Sequence, residues 1–199
     1  YRELEEKLKE KVPSEYERAE NAKAPSKDEI FDEIFEQINP SAKTSSLKSD
    51  KDYRMADVLQ LTFEKTLKEK KDVVFMGEDV ADPLGGVFRL TKGLSSIDKN
   101  RVINSPLAES TIVGVACGLA AYGKRPVFEI QFIDFIFPAF NQLVQNMATL
   151  RWRSFGQWKC PAIIYAPYGA YLPGGGAWHS QAQEAAFAHF PGINIAIPS

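Results

Sequence analysis

The spacing of apolar positions changes near residue 52. Before it, Glu3 to Lys11 alternates acid and base at helical spacing, the pattern of a solvated helix face, and Pro13 is expected to end that helix. Ser26 with Glu29 three residues on is a capping box and predicts a second helix. Ile30, Phe31, Ile34, Phe35 and Ile38 give that helix one sticky face, and Asn39-Pro40 stops it. Ser41 to Asp52 reads as a linker. This first region is too small to bury a core of its own.

From Tyr53 the pattern alternates between helix and strand. Residues 54–70 place Met55, Val58, Leu59, Leu61, Thr62 and Leu67 on one helical face. Val73 to Met76 is a continuous apolar run after a polar stop, the mark of a strand buried on both faces. Asp82 to Gly86 is a turn-rich loop, and Val102 to Asn104 predicts a second strand. Pro106 to Tyr122 reads as a helix whose Ala and Gly content implies close packing on a sheet. Strands are expected at 126–130, 162–166 and 193–197, with helices over 134–153, interrupted early by Pro138, and 180–189. Alternating strands and helices predict an α/β fold, a mostly parallel sheet with helices on both faces.

Composition narrows the function classes. The 199 residues are 44% hydrophobic and 25% charged, which fits a globular domain of about 150 residues plus an appendage. A net charge of −2 offers no electrostatic case for nucleic acid or an anionic membrane. The apolar runs are too short to span a bilayer. Two Cys (Cys117, Cys160) and two His (His179, His189) give no zinc-ligand spacing, so no metal is assigned. The isolated cysteines read as buried and reduced, which favours a cytoplasmic or mitochondrial-matrix setting.

Few residues stand out as chemistry. Glu109, in Ser105-Pro-Leu-Ala-Glu109, lies where a strand gives way to a helix. Ser105 as N-cap, Pro106 at the first helical position and an acid in the first turn make a sound helix start. The same carboxylate at the carboxyl end of a parallel strand is placed to act as an acid or base in a crevice. Gly85-Gly86 and Gly174 to Gly176 match neither the dinucleotide fingerprint nor the phosphate loop. They read as turns, or as a mobile loop with His179 just beyond. His179 is a packed or capping residue or a proton donor. Gln131 ends a strand, and Phe132, Phe135 and Phe137 after it form a core-type aromatic cluster.

Six runs occur in order over 53–199: MGEDVADPLGGVFRLTKGL, SPLAES, RPVFEIQFIDFIFPAF, LRWRSFGQ, WHSQ and FAHFPGINIAIPS. Together they resemble the β subunit of the decarboxylating component of 2-oxoacid dehydrogenase complexes, and within that family the branched-chain type. The resemblance implies the aminopyrimidine-binding domain of the thiamine-diphosphate-binding fold. It implies that Glu109 hydrogen-bonds N1′ of the cofactor's aminopyrimidine. Leu107, Gln131 and Phe135 would line that ring, and His179 would assist acyl transfer to the lipoyl group of a partner acyltransferase. Phe135 stands where relatives often have Tyr, so it brings ring packing without a hydroxyl. The chain reads HSQAQE from His179 to Glu184 where relatives often read HSQSPE.

The resemblance also implies what the chain lacks. The family binds the diphosphate and its magnesium in an α part through a G-D-G motif, which does not occur here. Residues 19–37 faintly resemble the tail of that α subunit. The expectation is a slice of a fused α–β polypeptide: 1–52 a helical extension and linker, 53–199 the α/β domain, the C-terminal β domain absent, and the slice alone inactive. The backbone carbonyl of Ala162 could contribute to a potassium site, but the expected remaining ligands lie outside the chain. Expected partners are the α part, the acyltransferase and a second copy, since exposed apolar surface should drive self-association. Alternatives are the pyruvate or acetoin version of the enzyme, a non-catalytic assembly domain of the same fold, and a generic nucleotide binder, which the missing glycine fingerprint disfavours.

Overall fold

The structure is a computed structural model that describes residues 1–35, 52–171 and 173–198. Ile38, Asn39-Pro40 and all but the last residue of the expected linker lie outside them. The chain divides into two units, Tyr1–Asp32 and Glu33–Ser199.

In the first unit α1 (Arg2–Glu20) runs through Pro13 instead of ending there. Pro13 removes one backbone donor, and the Ser14 hydroxyl donates to the Lys11 carbonyl at 2.8 Å in the same turn. Exposed pairs such as Lys7 to Glu3 (2.9 Å) and Lys9 to Glu5 (3.0 Å) support the helix weakly. No residue of α1 is buried. The capping box of Ser26 and Glu29 is present, but it opens only a 3₁₀ turn, Lys27–Phe31. The expected helix stops there because Asp32 is extended (ψ 144°) and Glu33 takes φ 60°.

The second unit holds a sheet built as predicted from short apolar runs. α2 (Met55–Glu69) leads to β1 (Val73–Gly77), which is buried throughout. A long loop and α3 (Leu94–Ile97) precede β2 (Val102–Asn104). α4 (Glu109–Ala121) and β3 (Arg125–Glu129) follow, then α5 (Leu150–Arg153), β4 (Ile163–Tyr165) and α6 (Glu184–Ala188). The strand order is β2-β1-β3-β4, and every pair is parallel. β1 is flanked by β2 and β3, so the chain leaves its carboxyl end to one side and later returns on the other. A crevice opens at that point in parallel sheets.

Alternate residues of the strands feed two cores. Val73, Phe75 and Val127 pack with Leu67 of α2 and Leu94 of α3. Val74, Met76 and Phe128 pack with Ile112, Val113 and Ala116 of α4. Both faces are therefore covered, which explains the uninterrupted apolar run of β1. Phe75 and Phe128 are almost wholly buried, each contributing roughly 2–3 kcal/mol by the area removed from water.

Three other expectations need correction. The helix expected over 134–153 is a series of short turns: 3₁₀ at Ile133–Phe135 and Phe137–Ala139, a π segment at Gln142–Met147, then α5. Pro138 cannot donate to a continuing ladder, and the wider π turn is closed by Ala148 N–H on the Leu143 carbonyl (2.9 Å). The fifth strand expected at 193–197 is absent. No described strand pairs with that stretch, and Ile195 and Ile197 stay 42% and 52% exposed. The helix expected from Pro106 begins only at Glu109, capped by the Ala108 backbone without a side-chain bond. Ser105 is no N-cap. Its N–H continues the β1–β2 pairing by donating to the Gly77 carbonyl (2.8 Å).

Among the described residues no helix is long and apolar enough to cross a membrane.

Candidate functional site

The candidate residues gather at the carboxyl ends of β1, β2 and β3. β1 ends in Gly77, where a Cβ would stand 2.9 Å from Glu129 on β3, so the two backbones approach as closely as only glycine permits. Glu78 and Asp79 follow directly. β2 hands over through Ser105 to Ala108, and Glu109 takes the first position of α4, half-buried. Leu107 stands out from this corner, 82% exposed. Half-buried Gln131 follows β3.

Glu78 and Glu109 lie close enough to interact. Glu78 is 8% exposed, and its carboxyl is pushed above the usual range, by burial first, then by Glu109 and Asp79. A second acid, which the sequence reading passed over, is Glu129. It is fully buried, and one of its oxygens accepts the Val87 N–H at 2.9 Å. Burial drives its carboxyl up to about 7, against the Val87 amide and the Tyr165 hydroxyl, which favour the ionised form, and with Glu78 adding repulsion. Tyr165 is the register partner of Glu129 on β4, and its own hydroxyl is pushed well up by burial and by Glu129. Neither Glu129 Oε2 nor Tyr165 Oη completes a hydrogen bond of ordinary geometry, so the Val87 amide is the firm partner. One signal was legible: a single acid inside the apolar stretch Val127-Phe-Glu-Ile130.

The loop after β1 is held by its own backbone. Gly86 N–H donates to the Asp79 carbonyl (2.8 Å), Thr91 N–H to the Gly85 carbonyl (3.0 Å), and the Thr91 hydroxyl to the Val80 carbonyl (2.7 Å). The Ser95 hydroxyl and then the Gly93 amide hold the Asp82 carboxylate below its usual range. Gly85 and Gly86 both take positive φ (80° and 70°), so this pair is an ordered turn. The turn presents Phe88, itself at φ 55°, to a cluster of rings.

In that cluster Phe88 meets Phe132 at 6.1 Å and Tyr171 at 5.9 Å between centroids. His179 stands edge-on to Phe132 (4.6 Å) and Phe135 (5.5 Å). Asp134 accepts the N–H groups of Ser180 (3.2 Å) and Gln181 (3.1 Å), which fixes the chain just past His179. His179 itself remains exposed. The structure thus brings His179 and Phe135 into contact, and Glu109 beside Glu78. Glu129, its amide partner Val87 and the adjacent Phe88 connect the two groups.

The arrangement can hold an aromatic base. The half-buried carboxyl of Glu109 beside the buried Glu78 offers a hydrogen-bond partner to a ring nitrogen, and the exposed Leu107 offers an apolar surface nearby. The aminopyrimidine ring of thiamine diphosphate fits that donor set. Among the described residues no cluster of three or more His, Cys, Asp or Glu could hold a metal ion.

Comparison with known proteins defines the class. Residues 51–199 match the family "Transketolase, pyrimidine binding domain", and the chain belongs to that family. It is 44% identical over 144 residues to the 2-oxoisovalerate dehydrogenase subunit beta of Bacillus subtilis, covering 72% of this chain and 43% of that protein. The mitochondrial 2-oxoisovalerate dehydrogenase subunit beta of Dictyostelium discoideum is 52% identical over 134 residues, covering 66% of this chain and 35% of the relative. The pyruvate dehydrogenase E1 component subunit beta of Leifsonia xyli is 44% identical over 146 residues, covering 73% and 43%. The chain therefore spans less than half the length of these relatives.

Proposed function

We propose that residues 53–199 form the aminopyrimidine-binding half of a thiamine-diphosphate-dependent 2-oxoacid dehydrogenase of the branched-chain type. The observation that carries this reading is Glu109 at the mouth of the sheet beside the buried Glu78, whose carboxyl burial and Glu109 push above the usual range. Bound here, thiamine diphosphate would supply the nucleophilic carbon and the electron sink for decarboxylation. Glu109 would share a proton with the ring nitrogen. Leu107, Gln131 and Phe135 would orient the ring, and His179 would hold a proton for acyl transfer to a lipoyl group. Similarity to 2-oxoisovalerate dehydrogenase β subunits supports the branched-chain assignment. The similarity to a pyruvate dehydrogenase β subunit supports pyruvate as the second reading.

The remaining parts of the proposal follow from the same resemblance. An α part would supply the diphosphate and magnesium site. Residues 1–52 would be the tail of such a part fused upstream, a lipoyl acyltransferase would receive the acyl group, and a second copy would cover exposed apolar surface. The setting would be the cytoplasm, or the mitochondrial matrix in a eukaryote, as the name of the mitochondrial Dictyostelium discoideum relative suggests.

The test is decarboxylation of 3-methyl-2-oxobutanoate and of pyruvate by the full-length polypeptide, wild type against Glu109→Gln. A near-complete loss with cofactor still bound is expected, and the preferred acid names the enzyme. Unchanged activity would reduce Glu109 to a helix-end charge.

A further inference from the structure

We propose that Asp134 is a positioning residue for His179, holding its imidazole where the acyl group passes to the lipoyl acceptor; this deepens the role proposed for His179 and rests on it. Asp134 sits in the 3₁₀ turn Ile133–Phe135, just past β3. Its Oδ1 accepts two consecutive amides from 46 and 47 positions further along the chain, Ser180 N–H at 3.2 Å and Gln181 N–H at 3.1 Å. An aspartate that only shapes a turn bonds to its own neighbours, two residues on. This one reaches across to another segment. Two amides taken in sequence fix the backbone in direction as well as in place, and bonds to a carboxylate are the stronger kind. His179 is the residue immediately before that fixed stretch. Phe132 and Phe135, on either side of Asp134, are the rings that receive His179 edge-on, at 4.6 and 5.5 Å between centroids. One turn thus supplies both the anchor for the backbone and the walls for the side chain.

The turn grips both arms of the loop that leads to His179. Ile133 N–H donates to the Pro167 carbonyl (3.0 Å) on the first arm, and Asp134 holds Ser180 and Gln181 on the second. Gly169 N–H closes the neck on the Gln181 carbonyl (3.0 Å). Between the arms, Gly174 and Gly176 take positive φ, and an added Cβ at either would meet no atom within 4 Å. His179 is exposed, at the border between this open stretch and the anchored neck. Its own N–H makes only a long bond to the Gly176 carbonyl (3.5 Å). The place of the imidazole therefore depends on the anchor one residue on. A displacement of about 1 Å at a group that must meet a reacting partner can cost about 100-fold in rate. Asp134 acts through His179 and not on the reacting atoms.

The test uses the full-length protein with its native subunits. Hydrogen exchange read by mass spectrometry at Ser180 and Gln181 should be slow in the wild type and in Asp134→Asn, which keeps an acceptor oxygen, and fast in Asp134→Ala. Acyl transfer to a lipoyl domain, from whichever of 3-methyl-2-oxobutanoate and pyruvate the wild type prefers, should fall roughly 10- to 100-fold in Asp134→Ala and be kept in Asp134→Asn. Decarboxylation by the same proteins, read with dichlorophenolindophenol, should change little. Parallel measurements on His179→Ala separate the two claims. A loss of transfer in His179→Ala with none in Asp134→Ala would overturn the positioning role and leave that of His179 standing. No loss in either variant would overturn both. Equal losses of transfer and decarboxylation in Asp134→Ala would reduce Asp134 to a structural residue. Fast exchange at Ser180 and Gln181 in the wild type would overturn the proposal with no substitution made, and that arm, with Asp134→Asn, decides the matter if Asp134→Ala does not fold.

Discussion

Replacing Glu129 with Gln isolates the cost of ionising a wholly buried acid. The folded protein holds this carboxyl at about 7, and the unfolded chain releases it near the ordinary 4.5. The native state therefore binds the extra proton between those values. Stability from this group is fully present below about 4.5 and is lost as the pH rises to about 7. At about 1.4 kcal/mol per pH unit that window is worth about 3 kcal/mol. The side chain is fully buried, so solvent screening does not dilute the figure. Gln cannot ionise, still presents an oxygen to the Val87 N–H, and turns a donor toward Tyr165. The assay is urea unfolding of both proteins at intervals from pH 4.5 to 8, read as a difference so that all other titrating groups cancel. Glu129→Gln should gain on the wild type by roughly 3 kcal/mol across the window and hold that advantage above it. A difference that stays constant over the whole range would refute the argument and place the Glu129 carboxyl in contact with water.

Three further outcomes are expected. Gly86→Ala should cost about 1–3 kcal/mol in the same urea experiment, because φ is +70° and the new Cβ would stand 2.8 Å from Glu129 Oε1. Gly93→Ala, at φ +87° with nothing within 4 Å, should cost only the left-handed strain of about 1–2 kcal/mol. His179→Ala should lower acyl transfer to a lipoyl acceptor by roughly 100-fold, while decarboxylation read with an artificial electron acceptor changes little. Equal losses in the two assays would take the proton-transfer role away from His179.

The parts legible in the sequence were those fixed by local pattern. β1 announced itself through four apolar residues bounded by polar ones, and α2 through its one-sided face. The segment 134–153 misled because its apolar spacing suits a continuous helix, while Pro138 and the π turn respond to packing against α4, which spacing does not encode. Ile193 to Ile197 had strand composition, but a strand needs a neighbour, and composition does not say whether one is there. Glu109, Gln131, Phe135 and His179 were picked out from ordered motifs. Glu129 was passed over because its meaning depends on Tyr165 lying opposite it on β4 and on a loop 42 positions earlier folding over it.

Gly77 carries a consequence for anyone redesigning this protein. With no room for a single methyl group against Glu129, the aperture between β1 and β3 is fixed by main-chain spacing. Libraries aimed at a new acceptor or donor should leave that aperture alone. Diversity belongs instead at Gly169, Gly174 and Gly176, where no atom lies within 4 Å of an added Cβ and the cost of a side chain is the left-handed backbone alone (φ 88°, 79° and 60°).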